Sequence, residues 1–472
     1  MDSPPLNVEQ DDDDRISALP DHLLVGILER IDLRTAIRAG AVSTRWRHVP
    51  HQLSRLSLKA GHFQGGGAAA PQEIMRAYTG ALWRLLSVFP PPACRQRNCS
   101  RAIGTLRLSF YVSGTPQLHS IGRAIEHVVS RGETETLKFR VLPPPNVPVL
   151  AEFGQQFMSF SRAYPVAFRW VTTISLNNLM FGDSAVADLV RACDRLRRLC
   201  MRSCNLVDLH AVLRIDAPGS QLEKLEFTGF RSRKIELVSL PKLRKVRCHH
   251  WHHMNPPLCF GYVPELRVVS LASHANMWQA PFTLSECFSR SAVTNLSIMH
   301  LDFNYQMIWI EPENPMDLTS IFRNLMEVQL TRIFPECDLS WTLFILEAAP
   351  SLQNFALSRN QHSCVKTSEH SAEKTNVVWE PSKDFKHFNL KLLVMQGFED
   401  EDKVTNFVKL VMERAKGLQR IKLRGKHHPC KECNDDLDLD SARRYQVDQD
   451  KRHRIKDRLI HGSSSSVEII IC

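Results

Sequence analysis

His427, His428, Cys430 and Cys433 have the types that hold zinc, since thiolates and imidazoles are its usual ligands and Cys-x-x-Cys is a common half-site. No second such pair lies near, the two histidines are adjacent, and Asp435 and Asp436 follow. A solvated loop is the favoured reading, and no metal is assigned. A second dense run is Cys248-His249-His250-Trp251-His252-His253, with Cys259 further on. On a strand alternate side chains face opposite ways, so at most two of those histidines share a side. The run directly follows a strand pattern and reads better as a loop touching a partner than as a metal site. Around it lie Arg231, Arg233, Lys234, Arg244, Lys245 and Arg247, a basic set that suits an acidic partner; a plain solvated face is the alternative. Arg and Trp are types that anchor interfaces, so Arg231, Arg233, His249, His250 and Trp251 are the candidate substrate contacts. No nucleophile–base pair, phosphate-cradling P-loop or Gly-x-Gly-x-x-Gly in a strand–helix setting occurs. The expectation is a chain with no catalytic residues and no cofactor.

These side chains sit within a repeated frame. Leu53-Ser-Arg-Leu56-Ser-Leu58 introduces the pattern L-x-x-L-x-L, which recurs from Ile103, Thr134, Val171, Leu196, Leu222, Leu243 and Leu266, and again from Val293, Leu325, Leu352, Leu390 and Leu418. From Val171 the start-to-start steps are 25, 26, 21, 23, 27, 32, 27, 38 and 28 residues. Most fall in the range of a leucine-rich repeat, and Cys204 stands where that repeat places Asn or Cys. Alternation of period two predicts a strand in each copy. Segments such as 184–193 and 342–348 read as helices between them. The expected fold class is α/β, a leucine-rich-repeat solenoid with a parallel sheet on its concave side. Three stretches interrupt it: a flexible linker from Gly65 to Pro71, a rigid proline-rich connector from Val141 to Pro148, and a polar stretch from Gln361 to Glu373.

Before the repeats lies a short helical segment. Pro20 opens a first helix carrying Leu23, Leu24, Ile27, Leu28 and Ile31 as an amphipathic stripe. Asp32 can cap a second helix with Leu33, Ala36 and Ile37, ended by Gly40; Ser43 can cap a third with Trp46 and Val49. So few residues cannot bury three apolar stripes among themselves. The surplus must lie against something else.

The run Asp14-Arg15-Ile16-Ser17, Leu19-Pro20-Asp21, Leu23-Leu24, Ile27-Leu28, Val42-Ser43 and Arg45-Trp46-Arg47 resembles an F-box. Val42 stands where relatives often carry Leu, a swap of similar volume. The resemblance implies docking on a SKP-family linker and, through it, on cullin and RING subunits of a ubiquitin ligase. Leu19, Pro20, Leu23, Leu24, Ile27, Leu28, Ile31, Ile37, Val42 and Trp46 are the expected linker contacts. The stretch 388–398, the helix-like 403–415, the copy 418–423 and the final Val467-Glu-Ile-Ile-Ile resemble the FBD-type ending of plant F-box/leucine-rich-repeat proteins. That implies a terminal cap of two strands.

The expected domains are an acidic, unstructured tail (1–13), an F-box (14–50), the solenoid (51–385) and an FBD-like region (386–472). The 472 residues are 43% hydrophobic, which allows a sizeable core, and the net charge of +10 shows no long basic run that would argue for nucleic acid. Thirteen cysteines follow no small-domain framework, and the acidic start is unlike a secretory signal. No apolar run approaches membrane-spanning length. A location in cytoplasm or nucleus is expected, with a protein substrate as the second partner and neither nucleic acid nor membrane. The function expected is that of a substrate-recruiting ligase adaptor. The alternatives are a binding module working with its linker alone and a repeat scaffold with no ligase link.

Overall fold

The computed structural model describes residues 19–42, 46–49, 52–64, 70–87, 103–132, 134–148, 150–252, 254–273, 279–288, 293–304, 308–359, 377–425, 449–461 and 467–472. The expected acidic tail, the glycine-rich part of the linker, the polar stretch from Gln361 and the cluster at Cys430 lie outside these residues. The chain divides into two compact units, residues 1–148 with 156–174, and residues 149–155 with 175–472.

The first unit opens with helices α1 (Asp21–Leu28) and α2 (Leu33–Val42) and a 3-10 turn over Trp46–His48. Asp32 caps α2 as expected: its carboxylate accepts from the Thr35 backbone N–H at 3.1 Å and from the Thr35 hydroxyl at 2.7 Å. Gly40 does not end that helix, which runs on to Val42. Gly40 is buried within the helix. Strands β1 (Arg55–Lys59), β2 (Ile103–Tyr111) and β3 (Thr134–Leu142) then pair in parallel in that order. Helices α3 (Pro71–Ser87) and α4 (Thr115–Ser130) connect them. Leu56, Leu106 and Leu137 fall in one register row, and Leu58, Leu108 and Phe139 in the next, all buried. The sheet core is finished by Phe110, Phe139, Phe160 and Phe168, whose rings meet edge to face at 5.2–6.2 Å. The expected connector from Val141 begins inside β3 and becomes a turn at residues 145–147. The helical segment is tied to the first repeat by Glu29, which accepts from both the backbone N–H and the hydroxyl of Ser54.

Helices α5 (Ala151–Ala163) and α6 (Pro165–Trp170) lead to β4 (Val171–Asn177), and the short strands β5 (Met180–Phe181) and β7 (Asn205–Leu206) pair with each other in parallel. In the second unit the main strands are β6 (Arg198–Arg202), β9 (Lys224–Thr228), β11 (Lys245–His249), β13 (Val268–Ala272), β14 (Ile298–Asp302), β15 (Glu327–Thr331), β16 (Asn354–Ser358), β17 (Leu392–Gln396), β18 (Arg420–Arg424) and β19 (Glu468–Ile471). They pair in parallel in that order, one strand per repeat. This is a leucine-rich-repeat solenoid of the expected α/β class, and β17 to β19 carry it through the C-terminal region. The inward rows are apolar; Leu225, Val246, Val269, Met299 and Val328 form one of them. Each such buried side chain contributes about 1.5–3 kcal/mol.

One copy is displaced from its expected place. Val269 pairs with Met299 and Leu271 with Leu301, so the repeat begins at Leu296 and not at Val293. Both Val293 and Leu296 are buried, which is why the spacing alone favoured the earlier start. A second difference concerns the return segments. Ala185–Ala192, Pro315–Phe322, Leu343–Ala348 and Asp402–Arg414 are helical. The three consecutive repeats from Leu196, Leu222 and Leu243 instead return through β8 (Val212–Asp216), β10 (Lys234–Ser239) and β12 (Leu258–Tyr262), a second parallel sheet in the order β12-β10-β8.

Candidate functional site

Two surfaces remain once the core is accounted for. The first is on the N-terminal helices. Leu23, Ile27, Ile31 and Ile37 are 46%, 42%, 41% and 50% exposed, a density of large apolar side chains that isolated surface residues do not explain. Leu23 and Ile27 lie one helical turn apart on α1, and Ile37 lies on α2. Beside Ile37 is a cavity of about 310 Å³, lined by Leu33, Leu58, Phe63 and Leu85 with Arg34, Arg38 and His62.

The other expected contacts divide. Pro20 is exposed, and Leu19 and Trp46 are half-buried. Leu24 and Leu28 are 0% and 1% exposed and belong to the segment's own core, with Leu33, Ala36 and Val49. They are therefore corrected from contact residues to residues that hold the helices in place. A stripe five positions wide around a helix always turns some of its members inward. The side chain of Val42 lies outside the described residues.

The second surface is the outward face of the parallel sheet in the second unit. Strands β6, β9 and β11 each end in a backbone turn that bonds to the strand beside it: Ser203, Gly229 and His250 donate to the carbonyls of Thr228, His249 and Ala272. All three turn residues have φ near +50° to +60°, a conformation Gly adopts freely and His only under constraint. Cys204, fully buried beside the first of these turns, donates its thiol to the carbonyls of Leu176 and Arg202 at 3.5 and 3.4 Å. That is the use expected of an Asn or Cys at this repeat position.

The expected substrate contacts again divide. Arg231 and Arg233 are exposed between β9 and β10. His249 faces outward at the end of β11, half-buried, with its Nε2 and the Ser270 hydroxyl 3.0 Å apart. Burial lowers its pKa, and so do the neighbouring His250 and Arg247. His250 is half-buried. Trp251 is corrected: it is 2% exposed, its ring meets Trp309 edge-on at 5.1 Å, and its Nε1 donates to Asn255 at 3.0 Å. A Trp among histidines resembles an anchor in sequence, but here the tight turn at His250 folds it under the strand end. His252 is exposed, and His253 lies outside the described residues. Cys248 points into the core and Cys259 is half-buried, so the run forms no common ligand face; among the described residues no group of His, Cys, Asp and Glu is placed to hold a metal.

Spacing could not show which cations are already paired. Lys242 and Arg244 both bind Glu265, at 2.8 and 3.0 Å, and Lys234 and Arg214 flank Glu236. Arg198 lies outside the expected basic set, yet it gives Glu226 two contacts of 3.0 Å.

Two family models match the chain. Residues 16–57 match the F-box domain, and residues 157–464 match the family described as At1g61320/AtMIF1, LRR domain. No curated protein matches. The repeat model runs through most of the region expected to be FBD-like, and the FBD itself finds no support in these matches. An F-box joined to leucine-rich repeats is the architecture of a protein-interaction adaptor, and F-box domains generally bind SKP1-family proteins. With the repeat model matched over residues 157–464 and the F-box model over 16–57, the chain belongs to the At1g61320/AtMIF1 family of leucine-rich-repeat domains and is a plant-type F-box/leucine-rich-repeat protein.

Proposed function

We propose that this protein is the substrate-recruiting adaptor of an SCF-type ubiquitin ligase. Its F-box binds a SKP-family linker and, through it, cullin and RING subunits. The repeat sheet binds the protein to be modified. The observation that carries this reading is the exposure of Leu23, Ile27, Ile31 and Ile37 within a domain matching the F-box. Burying the exposed part of each such side chain against a partner contributes about 1–2 kcal/mol. The chain itself does no chemistry in this scheme, since ubiquitin transfer belongs to the other subunits, and its place of work is the cytoplasm or nucleus.

The test is affinity capture of the tagged full chain and of an Ile27→Asp/Ile37→Asp variant. Wild type is expected to bring down the linker and cullin; the variant is expected to lose both while melting as wild type does. Undiminished linker capture by the variant would overturn the assignment of this face. Linker without cullin from wild type would mark a binding module separate from the ligase.

A further inference from the structure

The register of the second unit places a block of charge on three adjacent strands. Arg198, Lys224 and Lys245 occupy one row across β6, β9 and β11, and Cys200, Glu226 and Arg247 occupy the next. Leu199, Leu225 and Val246 lie between the two rows and Met201, Phe227 and Cys248 beyond the second, all buried, so alternation turns the charged side chains of these rows away from the core. Glu226 is the one acid in the block, and it is saturated. It takes two 3.0 Å contacts from Arg198 and one of 3.2 Å from the Cys200 thiol, and Arg247 stands 3.7 Å away. Burial pushes its pKa up, but Cys200, Arg198 and Arg247 hold it below the ordinary carboxylate value, so it stays ionised. Its side chain is only 12% exposed, whereas those of Arg198 and Arg247 are 42% and 43% exposed.

Lys224 and Lys245 make no ion pair among the described residues. The ammonium of Lys245 has its pKa lowered by partial burial and by Arg247, Lys224 and Arg198, with Glu226 acting the other way. Four cations thus share one spent carboxylate. On the next strand Val268, Ser270 and Ala272 pair with Lys245, Arg247 and His249, so β13 sets no charged side chain beside the block at these positions. From Arg198 to Lys245, two strands apart in one row, is about 10 Å at about 4.8 Å per strand, and an extended peptide repeats side chains on one side about every 7 Å. The outward positions of the three strands carry no Phe, Tyr or Trp on which a nucleic-acid base would stack, and the one imidazole among them, His249, is half-buried against Ser270.

We propose that the outward face of β6, β9 and β11 binds an Asp/Glu-rich extended segment of the recruited protein, whose carboxylates pair with Lys224, Lys245, Arg198 and Arg247. This names the substrate class for the adaptor reading above and rests on it for where that segment comes from. The block, and not the exposed turn at Arg231 and Arg233, carries the affinity.

The experiment is fluorescence anisotropy on the full chain held with its linker, using a labelled peptide with glutamate at alternate positions. The comparators are the same peptide with glutamine and a single-stranded oligonucleotide of matched charge. The glutamate peptide is expected to bind, to weaken as salt rises, and to bind at least about tenfold better than the glutamine peptide. Lys224→Glu/Lys245→Glu is expected to weaken it at least about tenfold with unchanged melting and linker capture, and Arg231→Glu/Arg233→Glu less than about twofold. Equal binding of the glutamine peptide, or full binding by the Lys224/Lys245 variant, would overturn the proposal. So would tighter binding of the oligonucleotide, which would make the face a nucleic-acid site. Retained peptide binding with lost linker capture would instead sink the ligase reading and leave the acidic-segment site standing.

Discussion

Replacing Trp251 distinguishes a core side chain from a contact side chain. Its indole is 2% exposed and leads an aromatic series: Trp309 at 5.1 Å, then Phe282 stacked on Trp309 at 5.6 Å, Phe303 at 5.0 Å from Trp309, and Trp341 at 5.4 Å from Phe303. Its Nε1 also fixes Asn255, which donates in turn to the carbonyl of Ala280 at 2.7 Å. Trp251→Ala removes the ring and leaves a cavity, for a loss of about 3–5 kcal/mol. Of this, the edge-on pair with Trp309 contributes about 0.5–1.5 kcal/mol. Trp251→Phe keeps most of the volume but strips Asn255 of its donor, and is expected to lose about 1–2 kcal/mol. The assay is urea unfolding followed by near-ultraviolet dichroism. The transition of the second unit is fitted separately, because two units need not melt together. If Trp251→Ala unfolds at the wild-type urea concentration yet no longer captures its partner proteins, Trp251 is a contact residue and the packing argument is wrong.

His387 and Gly154 supply the other tests. The His387 ring is buried, its Nδ1 accepting from the Leu390 N–H at 3.0 Å and its Nε2–H donating to the Ala349 carbonyl at 2.9 Å. Burial lowers its pKa, with the Ala349 bond opposing, so the unfolded imidazole takes a proton first. Its stabilising contribution is therefore complete above about pH 6.5 and is lost as pH falls through the lower folded value. Urea midpoints measured from pH 7 to pH 5 should fall less steeply for His387→Gln than for wild type, and parallel lines would refute this role. At Gly154 an added Cβ would sit 1.6 Å from the Met180 carbonyl oxygen. Gly154→Ala should lower the melting temperature by an amount equivalent to about 1–3 kcal/mol, although alanine favours the helix by about 1 kcal/mol; a higher melting temperature would show that the helix stands off from Met180.

The strands were legible because L-x-x-L-x-L states their alternation directly, and the F-box helices because the Asp32 cap and the leucine stripe do the same. Exposure was not legible. Leu23 and Leu24 are adjacent residues of one type, and only the placement of the second helix decides that the first is 46% exposed and the second 0%. A further regularity went unread. Asn295, Asn324 and Asn389 each stand just before the first leucine of a repeat and donate from Nδ2 to a carbonyl of the repeat before, Pro264, Thr294 and Pro350, at 2.7–2.9 Å. Asn-Leu at that place is visible in the chain, but one polar residue per repeat carries little weight until the partner carbonyl is known. The same displacement of one copy to Leu296 aligns Asn295 with the other two.

Parallel in-register pairing makes the outward face behave as a grid. Place along the strand gives one coordinate and repeat number the other, and the rows stay aligned from β6 to β18 although the repeats differ in length and in how they return. Insertions after a strand lengthen the rim without moving any cell of the grid. A substitution at an outward cell changes one cell alone, because its Cβ points away from the packed rows. The chemistry of that face can thus be rewritten letter by letter on a page whose ruling does not shift.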